Sequence, residues 1–257
     1  MKETRRLGTQ EGYDLWAETY DETPNPVVAM DARYTLDVLS PRPDEHILDA
    51  GCGTGRHLGP LLRARSIPFG VDFSRGMLEI ARRNYPQVPL ALADLQRSLP
   101  FENERFDAVL CALIGEHLDE LPLALQEIYR VLRAGGRLIF SVYHPEMAAA
   151  GKEADFQRDG VEYRLGAHRY AIDDYENLLE DAGFEDLARH EFPGDERLVR
   201  SVPSATKLLG FLVLLVFEAR RNHDSPVEAT RSSSPPSLPC CHDWFWQLEI
   251  ALNSLCR

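Results

Sequence analysis

The sequence predicts an α/β protein whose central sheet is doubly wound, mostly parallel and completed by an antiparallel terminal strand. The first observation is an alternation, from residue 46 onward, of short apolar runs with segments of helical periodicity. The second is a glycine-rich loop directly after the first apolar run, where such sheets turn from strand to helix. The third is a late pair of apolar runs, of which the second has no helix before it, so that the two can pair as an antiparallel hairpin.

The individual elements follow from these patterns. Each apolar run reads as a strand, and each segment with apolar residues at helical spacing reads as a helix, with Ser74 as the N-cap of the second helix. The predicted strands cover 46–50, 68–72, 90–93, 106–112, 137–142, 184–192 and 208–220, and the predicted helices cover 58–62, 75–81, 121–132 and 173–182.

The composition excludes several classes of function. The chain has 257 residues with 41 acidic and 28 basic side chains, which gives a net charge of −13 and argues against nucleic acid as a partner. Five scattered cysteines support neither a disulfide scaffold nor a zinc site, so no metal is predicted. The first six residues lack an apolar signal region, and the apolar run 208–217 is about half as long as a membrane span. We therefore expect a cytoplasmic protein without membrane contact.

Three acidic residues stand at the ends of consecutive predicted strands. Asp49 precedes the loop Gly51-Cys52-Gly53-Thr54-Gly55, Asp72 ends the second strand, and Asp94 ends the third. Ligands of open α/β sheets bind at these strand ends. A carboxylate at Asp49 would repel a diphosphate and attract a sulfonium or ammonium group. Arg56 also stands where a dinucleotide-binding loop carries its third glycine.

These motifs resemble those of the class I S-adenosylmethionine-dependent methyltransferases, of the small-molecule, methyltransferase-11-like type. The resemblance extends over roughly residues 10–220 and includes the loop 49–55, Asp72, the pair Ala93-Asp94 and the stretch 127–138. It implies a Rossmann-like sheet of seven strands and S-adenosyl-L-methionine as the cofactor. The cofactor contacts that we carry over are Tyr20, Asp49, Gly51, Cys52, Gly53, Gly55, Asp72, Phe73, Met77, Asp94, Leu95 and Cys111.

The resemblance also implies a role for each group. Asp49, Gly51 and Gly53 would surround the methionine part, Asp72 the ribose hydroxyls, and Asp94 with Leu95 the adenine. Residues 111–113 would line the wall near the transferable methyl group. The aromatic segment 13–21, with Tyr13, Trp16, Tyr20 and Asp21, is similar to the N-terminal lid of many members, although a simple packing helix explains it equally well.

The acceptor side is less specific in sequence. Three histidines follow strand ends or precede the late helix and are candidate bases, with His144 ranked before His117 and His168. Each is otherwise a surface or helix-entry residue. Residues 143–172 interrupt the alternation, and we assign them to acceptor recognition as a hypothesis.

The sequence therefore predicts a methyltransferase that acts on oxygen, nitrogen or carbon of a small-molecule acceptor. Two alternatives remain: a methyltransferase-like protein that binds or scaffolds without catalysis, and a nicotinamide-dependent dehydrogenase. The methyltransferase domain is predicted over 1–221, a Ser/Pro-rich linker over 222–242 and a short tail of helical spacing over 243–257. The tail is either loosely docked or a partner-binding helix, and the oligomeric state is not predicted.

Overall fold

A computed structural model describes residues 3–149 and 153–223 of the protein. Nearly all of the predicted linker and the whole of the predicted tail lie outside these residues, so both remain predictions. Within the described part of the chain, no helix has the length and the apolar character needed to cross a lipid bilayer.

Seven of the strands form one sheet in the order β4-β3-β2-β5-β6-β10-β9. All neighbours from β4 to β6 pair in parallel, whereas β10 is antiparallel to both β6 and β9. The predicted α/β class, the seven-stranded sheet and the antiparallel terminal pair are thus confirmed. The strands are β1 (Thr4–Arg6), β2 (His46–Ala50), β3 (Ile67–Asp72), β4 (Leu90–Leu92), β5 (Phe106–Ala112), β6 (Leu132–Tyr143), β7 (Asp155–Arg158), β8 (Val161–Arg164), β9 (Phe184–Pro193) and β10 (Leu212–Arg221).

Helices connect these strands, and side-chain caps fix the first residues of α2 and α4. The Asn25 side chain accepts hydrogen bonds from the backbone of Val27 and Val28 at the start of α2, and Ser74 caps α4 through the Met77 N–H at 3.1 Å, as predicted. The helices are α1 (Thr9–Trp16), α2 (Pro26–Leu39), α3 (Leu58–Arg63), α4 (Arg75–Asn84), α5 (Leu121–Val131), α6 (Pro145–Ala149), α7 (Ile172–Asp181) and α8 (Glu196–Ser201), with 3₁₀ helices over Ala17–Glu22, Gly115–His117 and Pro203–Leu208.

Two predictions about the late strands need correction. The last strand begins at Leu212 rather than at residue 208, and α8 with a 3₁₀ helix precedes it where the sequence predicted no helix. Asp195 starts α8 by accepting a hydrogen bond from the Leu198 N–H at 2.7 Å, and residues up to Leu208 bury apolar side chains in helical form. The fifth parallel strand starts at Leu132, earlier than predicted, because the chain leaves α5 directly into β6.

The large sheet carries one apolar core on each face. Side chains of successive residues on its central strands alternate between the two cores, as Leu48 and Ile47 of β2 do. Helices α5 and α7 cover the first face, and α2 covers the second. This two-sided burial places the carboxyl ends of β2, β3 and β5 at one open edge, where a ligand site can form.

A second, three-stranded sheet joins two distant parts of the chain. The N-terminal strand β1 pairs in parallel with β8, and β8 forms a hairpin with β7. A small third core connects the same parts, since Trp16 stacks on Phe156 with ring centroids 4.9 Å apart. The predicted lid segment and the segment assigned to acceptor recognition therefore build one common cap.

The fold generates a stability prediction at a nearly buried ion pair. Arg137 of β6 donates to both carboxylate oxygens of Glu45 at 2.8 Å and to the Leu39 carbonyl at 3.1 Å. Arg137→Met leaves the Glu45 carboxylate without its cation, and we expect it to lower the free energy of unfolding by about 3 kcal/mol in urea denaturation. Arg133→Met is the matched control: it breaks an ion pair with Asp107 but is 42% exposed, so its effect should stay below about 1 kcal/mol. Equal losses in the two variants would contradict this ranking.

Candidate active site

The glycine loop lies at the carboxyl end of β2. Gly51 and Gly53 have positive φ angles of 84° and 53°. A Cβ atom at Gly51 would lie 2.6 Å from the Ile114 side chain, whereas a Cβ at Gly53 would meet nothing within 4 Å. The loop thus packs tightly against the residues that follow β5 and leaves its outer side open for a ligand.

A cleft opens over this loop and encloses about 530 Å³ of empty space, its open mouth included. The loop, the end of β3, the start of α4 and the residues after β5 all contribute walls, and the N-terminal segment covers it. Its lining consists of Tyr13, Tyr20, Gly51, Cys52, Gly53, Thr54, Arg56, His57, Asp72, Phe73, Met77, Ala112, Leu113 and Ile114.

Asp49 lies buried at the base of this region, with 1% of its surface exposed. Neither of its carboxylate oxygens has a hydrogen-bond partner among the residues that the structure describes. Burial raises the pKa of Asp49 to about 6, although the nearby Arg56 and His57 favour its ionised form. A buried carboxylate without a partner is costly, and a cationic ligand group would remove that cost.

Asp72 ends β3 in a different environment. Its Oδ2 accepts a hydrogen bond from the Gly53 N–H and its Oδ1 one from the Ser74 N–H, both at 2.8 Å. Burial raises the pKa of Asp72 to about 6 in spite of these two bonds. Each oxygen keeps a free lone pair, so the carboxylate can accept the two hydroxyls of a ribose.

A buried acid on α2, absent from the predicted site, anchors the other side of the cleft. Asp31 accepts hydrogen bonds from Arg56 at 2.5 Å, from Ser141 at 2.5 Å and from Thr35 at 2.7 Å, and it lies 2.9 Å from His57 Nε2. Burial alone would raise the pKa of Asp31, but Arg56, His57 and Ser141 together hold it far below its ordinary value. Its place on an otherwise apolar helix face is the sequence signal that could have identified it.

The N-terminal segment covers the cleft as a lid would. Tyr13 and Tyr20 line the cleft, and Asp21 accepts a hydrogen bond from Thr54 of the glycine loop at 2.8 Å. Asp14 accepts hydrogen bonds from the Ser74 hydroxyl and from the Gly76 N–H, which fastens α1 to the start of α4. Trp16 instead packs into the cap. The interpretation as a lid thus applies to Tyr13 and Tyr20, and the interpretation as a packing helix applies to Trp16.

The structure brings together most, but not all, of the predicted cofactor residues. Asp94 accepts hydrogen bonds from the Gln96 backbone and lies 3.5 Å from Arg97, at the end of the strand next to β3. Leu95 and Cys111 are buried, and Ala112 and the two residues after it form the wall after β5. The predicted residues that line the cleft are Tyr20, Gly51, Cys52, Gly53, Asp72, Phe73 and Met77, whereas Asp49, Gly55, Asp94, Leu95 and Cys111 lie outside its lining.

The three candidate histidines lie in different environments. His117 is buried, and its Nε2 lies 3.0 Å from the Tyr13 hydroxyl, while burial lowers its pKa to about 4. The Nδ1 of His144 accepts a hydrogen bond from the Glu146 N–H, so that its ring caps α6 outside the cleft lining. The side chain of His168 is 46% exposed and pairs with Asp119 at 2.9 Å. Of these three histidines, only His117 forms a hydrogen bond with a described residue that lines the cleft.

The fold and the cleft together define a Rossmann-like protein with a ligand cleft at the carboxyl ends of its parallel strands. Comparison with known proteins shows which family this region matches. Residues 48–140 match a protein family described as a methyltransferase domain. This region contains the glycine loop, Asp72 and Asp94.

Individual relatives agree with this match. The chain is 34% identical over 142 residues to a demethylmenaquinone methyltransferase of Streptomyces avermitilis, covering 53% of this chain and 61% of the relative. It is 33% identical over 128 residues to a malonyl-[acyl-carrier protein] O-methyltransferase of Serratia marcescens, covering 48% of this chain and 49% of the relative. The matched regions thus span less than two thirds of these relatives' own lengths.

A solved structure extends the likeness of the fold. An S-adenosylmethionine-dependent methyltransferase from Mesorhizobium loti aligns with a TM-score of 0.63 at 21% identity, over 74% of this chain and 97% of that one. The matched methyltransferase domain and the shared fold agree with the predicted resemblance to the class I S-adenosylmethionine-dependent methyltransferases, and S-adenosyl-L-methionine is the cofactor that this resemblance indicates.

The unpartnered carboxylate of Asp49 generates a prediction about the ligand-free protein. Because its pKa is raised in the folded state, the ionised form destabilises the fold, and this penalty appears as the pH rises from about 4 and is complete above about 6. Asp49→Asn removes the penalty. The free energy of unfolding of Asp49→Asn minus that of wild type should therefore increase by about 2 kcal/mol when the pH is raised from 4 to 8. Urea denaturation at the two pH values measures this change.

Comparing the two pH values cancels any constant effect of the amide itself. Asp37→Asn, on the exposed side of α2, is the control and should show no such pH-dependent gain. A stability difference between Asp49→Asn and wild type that does not change with pH would contradict the raised pKa.

Proposed function

We propose that the protein binds S-adenosyl-L-methionine in this cleft and transfers its methyl group to oxygen, nitrogen or carbon of a small-molecule acceptor. The observation that carries the proposal is the buried carboxylate of Asp49, whose two oxygens have no partner in the described structure. The methionine part of the cofactor carries an ammonium and a sulfonium cation, and either one satisfies this carboxylate. Asp72 holds the ribose hydroxyls, and Asp94 with Leu95 lies toward the adenine.

The same residues disfavour a dinucleotide. A diphosphate over the loop would lie close to the negative charge of Asp49. Arg56, the cation that could offset this repulsion, is held by Asp31 at 2.5 Å. A nicotinamide cofactor is therefore the weaker alternative.

The chemistry follows from this arrangement. The bound cofactor supplies an electrophilic methyl group, so the chain mainly has to align an acceptor and exclude water. The aromatic lid over the cleft, formed by Tyr13 and Tyr20, serves the exclusion of water. Residues 143–172 remain our proposal for acceptor recognition, because their hairpin β7–β8 forms part of the cap over the site.

The class of acceptor is supported by the relatives. Their names refer to demethylmenaquinone and to a malonyl group on an acyl-carrier protein. Both describe the methylation of an organic group, which favours a small organic acceptor. Of the three histidines proposed as bases, His117 has the position best suited to contact the acceptor, since it is hydrogen-bonded to Tyr13 at the cleft.

The proposal is tested by isothermal titration calorimetry of the full chain with S-adenosyl-L-methionine and, separately, with NADH. We expect one binding site for the former and no heat for the latter. Asp72→Asn should weaken S-adenosyl-L-methionine binding by about 10- to 100-fold. A neutral amide accepts hydrogen bonds from the two ribose hydroxyls less strongly than a charged carboxylate does. Asp37→Asn should bind like wild type.

Each other outcome has a definite meaning. Binding of NADH alone would favour the dehydrogenase. If neither compound binds, the proposal is wrong, and the non-catalytic scaffold becomes the better interpretation.

The raised pKa values of Asp49 and Asp72 predict a pH dependence of cofactor binding. Asp49 and Asp72 both have pKa values of about 6, and both must be ionised to act on the cofactor. The affinity for S-adenosyl-L-methionine should be constant above about pH 7 and should fall as the pH drops through 6, approaching a hundredfold per unit at the lowest pH values. Asp49→Asn should bind more weakly and show about half that slope. Calorimetry between pH 5 and 8 measures both, and a flat profile for wild type would contradict the assignment.

A further inference from the structure

A second buried carboxylate without a partner lies next to the cofactor cleft. Glu116 has 5% of its surface exposed, and neither side-chain oxygen has a hydrogen-bond partner in the described ranges. The adjacent His117 also has a free ring nitrogen, Nδ1. Two neighbouring polar groups without partners inside a protein point to a ligand that supplies the missing contacts.

The position of this pair relative to the cleft is fixed by both the chain and a hydrogen bond. The 3₁₀ helix Gly115–His117 follows directly after Ile114, which lines the cleft. Gly115 lies so close to β6 that an added Cβ would come within 2.4 Å of the Phe140 ring. The Tyr13 side chain lines the cleft, and its hydroxyl lies 3.0 Å from His117 Nε2, so His117 directly contacts a wall of the cleft.

Three tyrosines lie near enough to Glu116 for its charge to affect them. The negative charge of Glu116 helps to raise the pKa values of Tyr13, Tyr143 and Tyr175, which lie on three different elements around it. The charged group that acts on the Glu116 carboxylate is another acid, Asp31, which raises its pKa further. Aromatic rings around one carboxylate and one imidazole suit a flat ring that carries a hydrogen-bond donor.

We propose that Glu116 and His117 form the polar end of the acceptor site and that this site takes an aromatic hydroxyl. This inference rests on the proposed methyltransferase function and specifies its acceptor. A Glu116 carboxylate oxygen accepts the hydrogen bond of the hydroxyl and then its proton. The acceptor is left as the more nucleophilic oxyanion and Glu116 as a neutral carboxyl, which returns the proton to water after the product leaves.

The acid–base properties of the pair agree with this role. Burial raises the pKa of Glu116 to about 7, and burial lowers that of His117 to about 4. At neutral pH the histidine is therefore uncharged and Glu116 is close to its titration midpoint. A group with a pKa near the working pH transfers protons most effectively.

The experiment measures the binding of small probes to the full chain loaded with S-adenosylhomocysteine, by ligand-observed NMR titration. The probes are phenol, anisole and benzylamine, of which anisole has the same ring without the hydroxyl proton. The wild type should bind phenol at least tenfold more tightly than anisole. Glu116→Met should lose this preference, and because no described partner of Glu116 is lost, its thermal midpoint should not fall below that of wild type. Asp119→Asn, an exposed acid three residues away, should keep the preference.

Several results would overturn the inference. These are equal affinity of wild type for phenol and anisole, no detectable phenol binding, or an unchanged preference in Glu116→Met. Tighter binding of benzylamine than of phenol would assign the site to a cation instead. Calorimetry with S-adenosyl-L-methionine on the same samples separates the two proposals. Cofactor binding without a phenol preference contradicts only the acceptor site, whereas no cofactor binding by wild type contradicts the proposed function.

Discussion

The buried carboxylate of Asp31 is the interaction on which the arrangement of the site depends. It connects α2, which carries it, with the glycine loop through Arg56 and His57, and with β6 through Ser141. A charge that is fully buried is tolerated only when its partners surround it, so these three elements cannot shift independently. The pairing also decides the charge of the cleft. Because Arg56 is bound to Asp31, it forms no ion pair with Asp49, whose carboxylate has no hydrogen-bond partner among the described residues.

Around this anchor the protein keeps three acids in an environment that opposes their ionisation. Burial raises the pKa values of Asp49 and Asp72 to about 6 and that of Glu116 to about 7. None of the three has an ion pair in the described structure with which to offset this cost. Natural sequences tolerate such local conflicts mainly where a ligand resolves them. In the proposals made above, Asp49 and Asp72 mark the cofactor end of the site and Glu116 marks the acceptor end.

The sequence predicted those parts of the fold and of the site that short motifs determine. The loop from Gly51 to Gly55 and the acid Asp72 depend on neighbours along one strand and one turn, and the structure has them at the predicted strand ends. The pairing of Thr4–Arg6 with Glu162–Arg164 could not be predicted, because three residues carry no pattern that names a partner so far along the chain. His144 shows a different limit. Its position after β6 was predicted correctly. The direction of its ring depends on the local turn, and the ring caps α6 rather than lining the cleft.

The N-terminal lid segment and the segment assigned to acceptor recognition pack together in the three-stranded cap. Trp16 and Phe156 stack within a small core of their own, separate from the two cores of the large sheet. Small cores with few buried side chains open at lower free energy than the main core of a domain. The lid is fastened to the body of the protein mainly by polar contacts, such as those of Asp14 with Ser74 and Asp21 with Thr54. Since the lid and the β7–β8 hairpin share this core, a displacement of the lid that uncovers the cleft would also displace the hairpin.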